Sequence, residues 1–320
     1  MEILLAIDGG GSHTRCLVMT RDGDSLGTGE SGPSNHLLVD MSIVRASLDD
    51  AIDAALAKAQ IKRSEVDLVS AGLAGVDHDG SGATEMEEVL GALGFTSSIV
   101  NSDMVIAHTG ALSGGPGVLA LAGTGSVILG VGLKGQRVKI GGWGPVYGDE
   151  GSGYCIAQSA LRAAARARDG RGPETALLKE LTEALGVSDF KETIVRVYSE
   201  KMEPRDIAAL SKVVYQVAQK GDEVAKGIFR QAGEDLAEGV SAALRQLELL
   251  ETAVQVSYQG SILESCELVR EQLIASLRER YPEVSVIPPR FKPIAGAYLL
   301  GCKALGWRLD DRLFDALKNV

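Results

Sequence analysis

The chain has 320 residues, 45% of them hydrophobic and 23% charged, which suffices for sizeable cores and for two domains. Its formal charge of −11 argues against a general nucleic-acid or anionic-membrane partner, since both demand dense Lys and Arg. Phosphate ligands stay open, because backbone N–H groups and a divalent cation hold those locally. No segment reaches the ~18 uncharged apolar residues of a membrane span. The Met1–Ile7 run lacks the basic start and length of an export signal. Cys16, Cys155, Cys266 and Cys302 are far apart and form neither a CxxC pair nor a zinc set, so a cytoplasmic protein with reduced thiols is expected.

Residues 3–8 and 13–20 are short β-prone runs joined by a glycine-rich turn, and a third strand is expected over Ser25–Gly29. Apolar residues at helical spacing predict a helix over 40–59. A strand over Asp67–Leu73, a helix over 84–93 and a strand over Ser98–Ser102 follow, an alternation that signals an α/β layer with a partly parallel sheet. A second glycine-rich opening at 114–117 leads to a strand over 118–123, the turn Gly123-Thr124-Gly125-Ser126 and a strand over 127–132. Helices are expected over 151–168, 173–185, 204–220 and 222–249. A strand over 253–258 then ends at Gly260-Ser261, followed by a helix over 264–280, a strand over 284–287 and helices over 293–305 and 310–319. The recurrence of strand, Gly/Ser/Thr turn and strand predicts two similar domains facing each other across a cleft, 1–112 and 113–320, with the last helix able to pack back on the first.

The turn Asp8-Gly9-Gly10-Gly11-Ser12-His13-Thr14 offers what a phosphate requires: closely approaching backbone N–H groups and the hydroxyls of Ser12 and Thr14. Asp8, ending a buried strand, is placed to orient water or Mg²⁺. An ordinary tight hairpin is the alternative. The turn is neither a Walker loop nor a Rossmann fingerprint, because GxxxxGK[ST] is absent and a strand follows. Thr124 and Ser126 repeat the chemistry in the second turn. Gly260-Ser261 is either a bed for an adenosine or a plain strand–helix turn. Asp103 is either a carboxylate that accepts a hydroxyl proton in phosphoryl transfer or a helix N-cap. In the run from Gly141 to Gly153, Trp143 among glycines suits a wall for a sugar face, and Asp149 and Glu150 suit either a helix N-terminus or sugar hydroxyls. Asn35 and His36 offer further hydroxyl partners, although His36 alone reads as a loop histidine.

Together, DGGGSHTRCLV (8–18), SNH (34–36), the Asp103 turn, LAGTGS (121–126), GGWGPVYGDEGSGY (141–154), GDEVAKGIFRQAGEDLA (221–237) and QGSILES (259–265) resemble the N-acetylglucosamine kinase family. That family lies within the BadF/BadG/BcrA/BcrD-type ATPase group of the actin/hexokinase-like superfamily. The resemblance spans almost the whole chain, and the GGWG…GDEGS block is its most specific part. It implies an α/β fold of two actin/ribonuclease H-like domains, ATP and Mg²⁺ as cofactors, and transfer of the γ-phosphate to the 6-hydroxyl of an amino sugar or hexose, N-acetylglucosamine first, in a homodimer. A broad hexokinase, a glucosamine kinase and an ATPase that activates a partner enzyme are the alternatives. By the resemblance, Asp8, Gly10, Gly11, Ser12, Thr14, Thr124, Ser126, Gly221, Gly260 and Ser261 hold the nucleotide, with Asp8 supporting the metal. Asn35, His36, Asp103, Gly142, Trp143, Gly144 and Asp149 hold the sugar, and Asp103 is the general base. Val127 and Pro145-Val146-Tyr147 depart from the family pattern around the sugar site.

Overall fold

The computed structural model describes residues 2–250 and 253–320. In chain order the elements are β1 (Ile3–Gly9), β2 (Thr14–Thr20), β3 (Ser25–Ser31), α1 (Met41–Ala59), β4 (Leu68–Leu73), α2 (Ala83–Ala92), β5 (Ser98–Ser102), α3 (Asp103–Ala111), β6 (Gly117–Ala122), β7 (Ser126–Val131), β8 (Arg137–Gly141) and α4 (Gly153–Arg168). They continue with α5 (Leu177–Ala184), α6 (Pro204–Ala209), α7 (Ser211–Gln219), α8 (Glu223–Gln246), β9 (Gln255–Gln259), α9 (Ser261–Ser265), α10 (Glu267–Arg280), β10 (Ser285–Ile287), α11 (Pro293–Ala304) and α12 (Asp311–Leu317). Two compact units result. The first takes the chain up to Gly117, Leu133–Arg137 and Pro288–Val320; the second takes Val118–Gly132 and Val138–Ile287.

Each unit holds one five-stranded sheet, and the two strand orders match: β3-β2-β1-β4-β5 in the first and β8-β7-β6-β9-β10 in the second. In the first sheet β1, β2 and β3 form an antiparallel meander, while β4 and β5 run parallel to β1. The repeat visible in the sequence is therefore a repeat of topology. The α/β, two-unit architecture expected from the sequence is the one found.

Strand alternation builds the first unit's core. Ile3, Leu5 and Ile7 of β1 point to the face covered by α1 and α2, and Leu4 and Ala6 point to the face covered by α3, α11 and α12. The second unit gathers its core around α4, α8 and α10. Glycines set the closest approaches. A Cβ at Gly29 of β3 would stand 1.9 Å from the Ala51 carbonyl oxygen of α1, and one at Gly296 of α11 would stand 1.9 Å from the Ile106 carbonyl oxygen of α3.

Several elements differ from expectation for identifiable reasons. The helix expected from 173 begins only at Leu177, because Asp222 accepts hydrogen bonds from the Thr175 hydroxyl and the Ala176 N–H (both 2.8 Å) and holds that stretch off the helix axis. The helix expected over 204–220 is divided at Leu210, whose N–H bonds to Ile207 in a tighter turn. The helix expected over 264–280 is preceded by a short one and broken at Cys266, where Arg270 donates to the carbonyls of Leu263 and Glu264 and satisfies the exposed helix end. Strand β8, hidden in the charged run RVKIG, was not expected.

Gly296→Ala tests the α3–α11 crossing. The new methyl meets backbone, which cannot rotate away, so a loss of about 1–3 kcal/mol is expected. It would be read as a lowered urea midpoint at unchanged secondary-structure content; an unchanged midpoint would mean that the two helices separate freely.

Candidate active site

In the first unit, the candidate residues gather at the carboxyl ends of the parallel strands β1, β4 and β5, the edge at which open α/β sheets bind ligands. Asp8 ends β1 directly opposite Arg15 of β2, whose guanidinium lies 3.9 Å from its carboxylate. Burial pushes the Asp8 carboxyl up from its ordinary 3.8 to about 6; Arg15 opposes the rise and the nearby Asp103 carboxylate adds to it. The side chain lines a 530 Å³ cavity of this unit, with Arg15, Glu30 and Lys292 among the other walls.

The loop after Asp8 is shaped by close packing and not by left-handed backbone, since Gly9, Gly10 and Gly11 all lack positive φ. A Cβ at Gly9 would stand 2.3 Å from the Ser34 hydroxyl and 2.5 Å from Leu73. The Gly10 N–H donates to the His13 carbonyl (2.8 Å), while Gly11 and Ser12 are exposed. Thr14 is fully buried, and its hydroxyl donates to the Gly32 carbonyl (2.8 Å) beside Ser34 (2.9 Å). Its side chain thus ties the loop to the 32–34 segment. Asn35 and His36 follow, packed over Gly75. His36 Nδ1 is buried and lacks a hydrogen-bond partner.

Asp103 opens α3, but the cap is Ser102, whose hydroxyl accepts from the Val105 N–H at 3.3 Å. The capping alternative for Asp103 is thereby resolved. Its carboxylate accepts from the Met104 N–H (2.8 Å) in the first turn, where the helix dipole favours negative charge.

In the second unit, the Gly123–Ser126 loop is tied to the start of α4. Gly153 and Tyr154 donate N–H bonds to the carbonyls of Gly123 (2.8 Å) and Thr124 (3.2 Å). Ser126 donates its hydroxyl to the Glu150 carbonyl (2.6 Å) and its N–H to Asp149 Oδ1 (3.2 Å). Asp149 is buried, sits at φ 62° and lies under Gly125, whose Cβ would come within 2.9 Å of it. Burial raises its pKa; the Ser126 N–H opposes this and Glu150 adds to it. Asp149 therefore braces the second loop.

Gly260, at φ 97°, faces the Ala122 carbonyl at a distance of 2.4 Å from any Cβ, and Ser261 lies beside Gly123, so the 123–126 and 260–261 turns are neighbours. Gly221 stands apart, in the exposed turn between α7 and α8. Gly141, Gly142 and Gly144 all take the left-handed backbone that favours glycine, and Gly142 N–H bonds to the Ser126 carbonyl (3.1 Å). The loop carries Trp143 69% exposed, at the rim of a 350 Å³ cavity with Ser126, Glu150 and Asp235.

Sequence reasoning missed Arg15 and the packing role of Ser34. Arg15 was recoverable from hairpin register, which pairs it with Asp8; Ser34 meets Gly9 and Thr14 only through the fold. Three of the four thiols sit in the cores, and Cys155 is half-buried at the start of α4. Cys16, Cys266 and Cys302 are buried, and burial pushes Cys302 up to about 11.

The family model for the BadF/BadG/BcrA/BcrD ATPase family matches residues 5–301. The chain belongs to that family. It is 30% identical over 301 residues to an N-acetylmuramic acid/N-acetylglucosamine kinase of Clostridium acetobutylicum, covering 94% of this chain and 98% of the relative. It is 29% identical over 310 residues to an N-acetyl-D-glucosamine kinase of Dictyostelium discoideum, covering 93% and 97%. The crystal structure of a candidate N-acetylglucosamine kinase from Chromobacterium violaceum superposes with a TM-score of 0.73 at 25% identity, covering 94% of this chain and 98% of that one. The glycine loops of this BadF/BadG/BcrA/BcrD-family chain are thus held by its own buried hydroxyls and carboxylates.

Asp8 yields a pH prediction. Its folded value of about 6 exceeds the ordinary 3.8, so folding favours the protonated acid. Stability falls as pH rises through that window, and the ionised form above it carries a penalty of about 3 kcal/mol. Asp8→Asn should raise the thermal midpoint of the ligand-free protein by several degrees at pH 8 and by less at pH 4.5. Equal gains at both pH values would show that Asp8 is not desolvated.

Proposed function

We propose that the chain is an ATP-dependent sugar kinase that transfers the γ-phosphate of ATP to the 6-hydroxyl of an amino sugar, N-acetylglucosamine first, with glucosamine or a neutral hexose as alternative acceptors. The observation that carries this reading is the placement of Asp8 on β1 and Asp103 just after β5, at the carboxyl ends of parallel strands of one sheet and close enough for the Asp103 charge to raise the Asp8 pKa. The names of the curated relatives support the amino-sugar acceptor.

Asp103 accepts the proton of the 6-hydroxyl as that oxygen bonds to the γ-phosphorus, and the bond from phosphorus to the β–γ bridging oxygen breaks to release ADP. Asp103 is suited to this by its place in the first turn of α3 at the carboxyl end of β5, with Ser102 rather than Asp103 taking the cap. The exposed Gly11 and Ser12, with Gly10, bind phosphate oxygens, and Thr14 keeps their loop anchored on the 32–34 segment. Thr124 and Ser126 form the second phosphate loop, which Asp149 braces while it also serves the sugar side. Gly260 and Ser261 lie along the nucleoside, with Gly221 at its periphery. Asn35, His36, Gly142, Trp143 and Gly144 contact the sugar, the indole serving as a wall for an apolar ring face.

Asp8 fits a Mg²⁺ role held largely through water. A carboxylate made costly by burial and by a second carboxylate, opening on a cavity, matches a cation that keeps most of its waters and takes its other ligands from phosphate. When bound, the metal would neutralise charge on the transferring phosphoryl group. Among the described residues no helix is long and apolar enough to cross a membrane. The reading extends to a cytoplasmic homodimer.

In a coupled assay with Mg-ATP, ADP release should depend on added sugar across a panel of N-acetylglucosamine, glucosamine, glucose and mannose. ATP hydrolysis indifferent to all of them would sink the kinase reading. Asp103→Asn should lower kcat by about 10²-fold or more while the KM for sugar stays within a few-fold; near-normal turnover would remove Asp103 from the role of base.

A further inference from the structure

Helix α4 carries three arginines, and two of them are engaged. Arg168 pairs with Asp189 (2.9 Å), and Arg166 donates to the Arg171 carbonyl oxygen (2.9 Å). Arg162 is exposed and makes no hydrogen bond or ion pair among the described residues. It stands at a 320 Å³ cavity of the second unit. Tyr154, Leu161 and Arg162 line that cavity from α4, and Phe190, Ile194 and Tyr198 line it from the chain that follows α5. Aromatic residues make up 4% of the sequence, yet of the eleven described residues that line the cavity three are Tyr or Phe, and none is acidic. Tyr198 belongs to a π-helical turn over Val195–Ser199, and Ile194, Val195 and Tyr198 are large hydrophobic side chains that the fold leaves exposed. Single π turns are rare and recur at functional sites.

The walls and the charge together select a ligand. Apolar and aromatic side chains reward a flat ring. A guanidinium with no internal acceptor rewards one carboxylate, which takes two parallel N–H bonds from it. The volume suits a molecule of one or two rings, since small-ligand pockets begin near about 300 Å³. None of the residues assigned above to the nucleotide or to the sugar lines this cavity. Tyr154 nevertheless belongs to both regions. It lines the cavity, and its N–H donates to the Thr124 carbonyl (3.2 Å) beside the bond from the Gly153 N–H to the Gly123 carbonyl (2.8 Å). The first turn of α4 therefore holds the second glycine loop.

We propose that this cavity is an effector site for an aromatic monocarboxylate, and that its occupancy is felt at the 123–126 loop through Tyr154. The site itself stands without the kinase reading; its effect on turnover rests on that reading.

The test uses 2-naphthoate as the probe and 2-naphthamide as its neutral counterpart, titrated calorimetrically into the full-length protein and its Arg162→Gln, Arg162→Lys and Ala165→Phe variants. Naphthoate should bind the wild type saturably, one per chain. Arg162→Gln should weaken it roughly fivefold or more, Arg162→Lys should recover part of the loss, and naphthamide should lose a similar factor on the unchanged chain. Ala165→Phe, which fills the cavity, should abolish binding. In the coupled assay saturating naphthoate should shift the KM for ATP about fivefold in the wild type and leave Ala165→Phe unmoved. No saturable binding would overturn the proposal, as would equal affinities for naphthoate and naphthamide or a site that survives Ala165→Phe. Full displacement of naphthoate by Mg-ATP in simple competition would overturn it by making the cavity part of the nucleotide site. A chain that sediments as a dimer, becomes monomeric on Ile194→Glu and binds no naphthoate would overturn it by making the patch an interface between copies. Binding with an unmoved KM for ATP would overturn the effector role. ATP hydrolysis indifferent to every sugar would instead overturn the kinase reading, and the titrations alone would then decide the site.

Discussion

The largely desolvated carboxylate of Asp8 is the constraint around which the first unit is organised. A strand that ends in an acid inside a core penalises the ionised state, and the second acid at Asp103 enlarges the penalty. Arg15 offsets part of it from the neighbouring strand, at a distance too long for a tight ion pair. Such an arrangement is poor for the stability of a ligand-free protein and good for one that receives a cation and phosphates at the same edge. The surrounding structure can hold it because β1 is buried along its length and locked on both sides, by β2 and by β4.

The two units then solve one problem in two ways. Each places a glycine turn after the first strand of a matching five-strand order, and each must hold that turn rigid. In the first unit the hold comes from hydroxyls: Thr14 and Ser34 pin the loop from below, and Gly9 is compelled to be glycine by the Ser34 hydroxyl and Leu73. In the second unit it comes from a carboxylate. Asp149 takes the Ser126 N–H and leaves no room for a side chain at Gly125. A neutral brace suits a loop that already has an acid at its base, since a further buried carboxylate beside Asp8 would deepen the desolvation cost.

The sequence showed local features well and distant ones poorly. The strand–turn–strand repeat, the loops at Asp8 and Gly123, and Asp103 were legible because each is encoded within about ten residues, by alternation and by turn chemistry. The roles of individual members were less so. Nothing near Thr14 indicates that its hydroxyl turns inward to Gly32, and nothing near Asp103 indicates that Ser102 takes the cap. The glycines at 9–11 look like a requirement for unusual backbone, yet their φ values are ordinary and the demand at Gly9 comes from Ser34, 25 positions away. Asp149 reads as a helix-start or sugar-facing acid, and only the fold brings it beneath Ser126. β8 went unnoticed although Arg137-Val138-Lys139-Ile140 alternates polar and apolar, because the run is only five residues long and ends in the glycine turn that begins at Gly141.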